Sequence, residues 1–156
     1  MSRVMYVAAA VAVLGTAGAG MALAQDKPQD PIVARQNLMK DQGNDLYRVI
    51  LGMTRGRVPY DAAKASAAFA SIAADSTHIA ALFPDDSKTG HDTHALSKIW
   101  QNKTDFEAKA QKVHELALAA ADSSKQGLDA TKAAFKAVDD ACDACHDDYR
   151  APYKKR

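Results

Sequence analysis

Cys142 and Cys145 bracket two residues, and His146 follows the second cysteine directly. Cys-x-x-Cys-His is the attachment signature of a c-type haem, in which two thiols form thioethers with the vinyl groups and the adjacent imidazole ligates the iron. On a helix, residues three and four apart share a face, so all three groups can reach one porphyrin. Two other chemistries use similar residues. A structural zinc site needs four Cys or His ligands at finger-like spacing, but the chain has 2 Cys and 5 scattered His. A thioredoxin-type dithiol belongs beside a βαβ pattern, and no strand-like alternation is visible.

A haem held this way requires a folded scaffold, and the N-terminus carries a signal of its own. Arg3 supplies a positive n-region, Val4 to Gly15 is nearly all apolar, and Ala22-Leu23-Ala24 has the A-x-A form of a cleavage site. Residues 1–24 therefore read as a secretory signal peptide; the glycine-interrupted apolar run is short for a membrane anchor. Residues 25–156 are of single-domain length. The full chain carries 20 Lys plus Arg against 19 Asp plus Glu. The excess charge is Arg3, so the mature chain is balanced and carries no general nucleic-acid footprint. Arg150, Lys154, Lys155 and Arg156 cluster at the C-terminus, where they suit either the negative end of a last helix or a docking patch.

Helical periodicity runs through nearly all of the mature chain. A first helix is expected from Pro31 to about Met53, with the seam Ile32, Arg35, Met39, Gln42, Leu46, Val49 and Met53. Gly56 and Pro59 break it. A second helix, starting at Tyr60 or Asp61, has the seam Ala62, Ala65, Phe69, Ile72, Ser76, Ile79 and Phe83, and Pro84 ends it. The polar stretch to Asn102 is long for a loop, which implies that it wraps the bundle and is anchored by Trp100. Thr104 to Glu107 matches a capping box for a third helix, with Phe106, Ala110, Val113, Ala117 and Ala120 inward. After a break at 122–127, the fourth helix carries Leu128, Thr131, Phe135, Val138, Cys142, Cys145 and Tyr149 on one seam. The expected fold is all-α, a four-helix bundle with the haem on its C-terminal helix.

Several segments resemble the class II cytochromes c, which comprise the cytochromes c′ and a low-spin, methionine-ligated branch. They are Ala34-Arg35-Gln36-Asn37-Leu38-Met39, Val58-Pro59-Tyr60-Asp61, Lys98-Ile99-Trp100 and the run Cys142 to Arg150. The resemblance spans nearly all of the mature chain. It implies a left-handed antiparallel bundle, for which cytochrome c′ is itself a standard example. It also implies one covalently bound haem c per chain in the periplasm, thioethers from Cys142 and Cys145, and His146 as proximal ligand. Arg35 and Gln36 match positions near the haem propionates, and Arg150 matches one close to the proximal imidazole. Independently, a charge on an apolar seam calls for an anionic partner unless Arg35 snorkels to solvent. For Arg150, a surface role at the helix end is the alternative. Homodimers through the first two helices occur in the family, and no exposed apolar stripe here decides for or against one.

Met39 separates the functional options. After cleavage, Met39 and Met53 are the remaining thioethers, and Met39 lies one turn after Arg35 on the inward face. By resemblance, this position either ligates the iron or only blocks the distal face. A His/Met pair raises the reduction potential and suits electron transfer between redox proteins; an open site would bind NO or CO. Leu38 to Gly43 and Leu82 to Asp85 look more like the low-spin branch. A haem-free thiol-exchange protein is the reading from another class. No acid/base pair or nucleophile constellation suggests an enzyme. His78, His91, His94 and His114 are expected to be solvated, with His94 able to approach the haem if the long loop folds over it.

Overall fold

The structure is a computed structural model, and it describes residues 29–152. The expected signal peptide and Lys154, Lys155 and Arg156 lie outside the described residues.

Helix α1 spans Pro31–Gly43, with proline at the first helical position and the Asp30 carboxylate accepting from the Ile32 and Val33 amides at 2.8 and 3.3 Å. The rod continues as a π-helical segment, Asn44–Ile50, and a last α turn, α2, Leu51–Thr54. Within the π segment Ile50 is fully buried, whereas Val49, expected inward, is half-buried against the larger cluster; Met53, the last seam residue, is buried as expected. A π turn takes in more residues than an α turn, so α spacing reaches the inward face one residue early there. Gly56, in left-handed backbone at φ 67°, closes the rod.

Helix α3, Ala62–Ser76, is capped by Asp61, whose carboxylate accepts from the Lys64 amide at 3.0 Å. Its seam Ala65, Phe69, Ile72 and Ser76 is buried as expected and extends past a 3-10 turn at Ala80–Leu82 to Phe83. A short helix α4, Lys98–Gln101, leads into α5, Lys103–Ser123. Here Asn102 is the N-cap residue, with no side-chain cap bond, and Thr104 lies inside the first turn, so the capping box expected at Thr104 is not formed. A 3-10 turn at Ser124–Gln126 and Gly127, whose φ of 121° and ψ of −178° suit glycine alone, start α6, Leu128–Tyr149.

Helix α3 packs along α5 and α5 along α6, while the π segment closes the bundle against α3 and α6. Two apolar clusters result. The larger, around Phe69, Ile72, Val113, Ala117 and Val138, fills the bundle's middle. The smaller joins Ile79, Phe83, Ile99, Phe106 and Tyr149 by edge-on aromatic contacts, with Phe83 and Phe106 centroids 4.8 Å apart. Tyr60 ties the first crossing to α6: its hydroxyl lies 2.8 Å from Thr131 Oγ1 and also donates to the Ser124 carbonyl.

The long connection does wrap the bundle. Trp100 Nε1 donates to the Phe83 and Pro84 carbonyls at 3.0 and 3.1 Å, which supports the anchoring role read from the sequence. The Leu96 amide donates to the Tyr149 carbonyl at 3.0 Å and the Ala151 amide to His94 O at 2.8 Å. The loop is thereby laced to the end of the helix that carries the cysteines.

Candidate haem-binding site

Between α1, the π segment, α5, α6 and residues 92–95 lies a cavity of about 580 Å³, within the range of about 300–1,000 Å³ usual for ligand and cofactor sites. Cys142, Cys145 and His146 all border it. The two cysteines are half-buried and pack against different apolar clusters, Cys142 against the larger and Cys145 against the smaller. The pair thus stands where the two halves of the core part.

Burial decides the chemistry of these groups. It pushes the Cys142 thiol up to about 12, helped by the Asp139 carboxylate, and the Cys145 thiol up to about 11. The thiolate needed for exchange is therefore scarce at neutral pH, which argues against a dithiol redox site. For His146, burial first and the positive charge of Arg150 second lower the pKa, keeping the imidazole neutral and able to ligate a metal.

Both thioethers of the described chain are inward, but only Met39 reaches this cavity. Met39 is half-buried, packed on the smaller cluster and on the cavity wall. Met53 is buried away from it, its sulfur accepting from the Asp61 amide at 3.3 Å.

Arg35 is buried at 4% exposure and lines the cavity. Its partners are neutral: Nη1 donates to Leu82 O and Ser87 Oγ at 3.1 and 2.9 Å, and Nη2 to Ser87 O and Thr93 Oγ1 at 2.9 and 2.8 Å. The guanidinium also lies 4.5 Å over the Phe83 ring. It does not snorkel to solvent. The loop takes up its terminal nitrogens, so what Arg35 offers a carboxylate at the cavity is its Nε–H and its charge. Gln36 is exposed at the cavity rim, where its Nε2 donates to His91 O at 2.8 Å. Arg150 is half-buried on the wall, its backbone bridged to Ala95.

The expectation of solvation holds for His78 and His91, which are exposed, and fails for His114, while His94 meets the condition set for it, that the loop folds over. His114 is half-buried with Nδ1 2.8 Å from Ala73 O, and since a carbonyl only accepts, Nδ1 carries the hydrogen. His94 is half-buried and borders the cavity, because the loop folds over it. The buried Gln42 and the exposed Tyr47 also border the cavity, the latter donating to Asp139 Oδ1 at 2.7 Å. Gln42 was legible as a seam residue without any sign of its role. Tyr47 has no signal in the sequence, since the π segment brings it round.

A helical bundle with an apolar-walled cavity, a Cys-x-x-Cys-His segment along one side and a neutral imidazole is the scaffold of a mono-haem c-type cytochrome. Comparisons with known proteins agree. The model of the cytochrome c′ family matches residues 30–150. Cytochrome c′ of Rhodopseudomonas palustris is 40% identical over 147 residues, covering 92% of this chain and 94% of that protein. Cytochrome c-555 of Bradyrhizobium diazoefficiens is 37% identical over 140 residues, covering 88% and 91%. The solved structure of the Rhodopseudomonas palustris cytochrome c′ superposes with a TM-score of 0.75 at 38% identity, covering 80% of this chain and 98% of that one. The chain belongs to the cytochrome c′ family of class II cytochromes c, and it binds one covalently attached haem c.

Proposed function

We propose that this protein is a periplasmic electron carrier whose haem is bound through thioethers from Cys142 and Cys145, with His146 as proximal and Met39 as distal ligand. The haem supplies a one-electron iron couple. The chain's own residues orient it, exclude water and set its charge environment: apolar side chains from α3 and α5 dry the cavity, and the loop at 92–95 covers its edge. Arg35, Gln36 and Arg150 provide polar and positive groups at the wall for the propionates and the proximal side.

The observation that carries the reading is the placement of Met39. Of the two thioethers, it alone stands on the cavity wall, and a thioether opposite an imidazole saturates the iron and raises its potential. A five-coordinate protein that binds NO or CO is the second reading, favoured by a relative named cytochrome c′. Among the described residues no helix is long and apolar enough to cross a membrane. The carrier role implies encounters with redox partner proteins rather than nucleic acid.

Optical spectra of the purified protein, oxidised and reduced, with and without carbon monoxide, test this. Sharp low-spin reduced bands with little response to the gas are the expected result. A broad high-spin spectrum that shifts on adding carbon monoxide would replace electron transfer by gas binding and leave Met39 as a distal wall.

A further inference from the structure

Three buried side chains with polar heads border the cavity, Arg35, Gln42 and Tyr149. Two turn those heads elsewhere. Arg35's terminal nitrogens serve the loop, and Tyr149's hydroxyl donates to Asp105 Oδ2 at 2.6 Å. Gln42 is different. Both of its hydrogen bonds run through Nε2, to Ser76 Oγ at 3.0 Å and Ile72 O at 3.3 Å. Ser76 gives its own hydroxyl hydrogen to Ile72 O at 2.7 Å, so Ser76 Oγ and Ile72 O are both left as acceptors. That chemistry fixes which end of the amide is nitrogen: its donors are held against α3, and Oε1 is turned away from them. No buried side-chain oxygen or nitrogen among the described residues lacks a partner. Oε1, which makes no hydrogen bond, is therefore not wholly enclosed, and the cavity is an open space that Gln42 lines.

We propose that Gln42 sets the haem's reduction potential: its carbonyl dipole, locked by Ser76 and Ile72 with the negative end toward the cavity, stabilises the oxidised over the reduced state. Oxidised haem carries one more positive charge than reduced haem, and a fixed dipole in a dry site is weakly screened. Dipoles beyond the ligands themselves are an established lever on haem potential. The inference rests on haem occupying the cavity and does not depend on Met39 being a ligand.

The test is a redox titration of the holoprotein beside Gln42→Leu and Ser76→Ala, with optical spectra in both oxidation states to report the axial ligands. Gln42→Leu is expected to favour the reduced state about three- to tenfold, at most about 59 mV positive for a one-electron couple, with the spectra unchanged. Ser76→Ala, which loosens the amide, is expected to shift the potential less and in the same direction. An unchanged or lower potential in both variants, even with reduced thermal stability, would make Gln42 a brace between helices and overturn the proposal. Altered spectra or a colourless protein in both variants would likewise overturn it, since Gln42 would then act on ligation or on haem retention rather than on the potential.

Discussion

Serine at both Cys142 and Cys145 is expected to abolish covalent haem completely, leaving no haem stain on a denaturing gel and an intact mass equal to that of the bare polypeptide. Thioether bonds survive denaturation whereas axial ligation does not, and these are the two cysteines of the chain. With only one replaced, a single thioether keeps part of the stain. The packing cost of the double change is modest, since both side chains are half-buried and serine is nearly isosteric. A change confined to the stain would therefore report the missing bonds rather than a collapsed fold. Full retention of covalent haem in the double variant would remove the basis of the site assignment.

Arg35→Ala has the largest expected effect on stability, a loss of roughly 3 kcal/mol in denaturant unfolding of the holoprotein. Hydrogen bonds from a charged donor contribute about 1.5–3 kcal/mol each, with strong non-additivity, and their loss also strands acceptors. Arg35 makes four such bonds, to Leu82, Ser87 and Thr93. Ser87 is itself buried, and its hydroxyl also donates to Pro84 O at 2.9 Å, which moderates the loss. Arg35→Lys is expected to recover less than half, because a point charge on one stem cannot span three residues as the guanidinium fork does. A cost below about 1 kcal/mol for the alanine variant would show that the loop is held by its backbone ties and by Trp100 alone.

The seams of α3, α5 and α6 were legible because each is a uniform α-helix with one buried side, so steps of three and four map directly onto burial. The same rule missed one position of the first rod, Val49 for Ile50, since no residue type announces a π turn, while Met53 is buried where the seam put it. Thr104 shows a related limit. Its box has the right letters, yet Asn102 begins the helix and the box falls inside it. At the cavity, Cys142, Cys145 and His146 stood out by their chemistry, and Met39 by its place in a seam, its role there being implied by the family resemblance alone. Arg35 was seen as a buried charge, but its neutral partners come from residues 47 to 58 positions away, a pairing that local patterns do not encode. His94 could be placed only conditionally for the same reason: the loop's pairing with the end of α6 is what brings it to the cavity.

The π segment has a bearing on how this chain tolerates change in length. A residue deleted from an α-helix rotates everything beyond it by about 100° relative to what precedes it. Between Pro31 and Gly43 such a loss would swing Arg35 or Met39 out of line with Leu46 and Ile50. Within Asn44–Ile50 the wider turns already take in more residues than α turns do, so a deletion there is expected to let the backbone tighten toward α pitch with less rotation of the flanks. The segment acts as slack in the thread between the end that lines the cavity and the end that packs on α6.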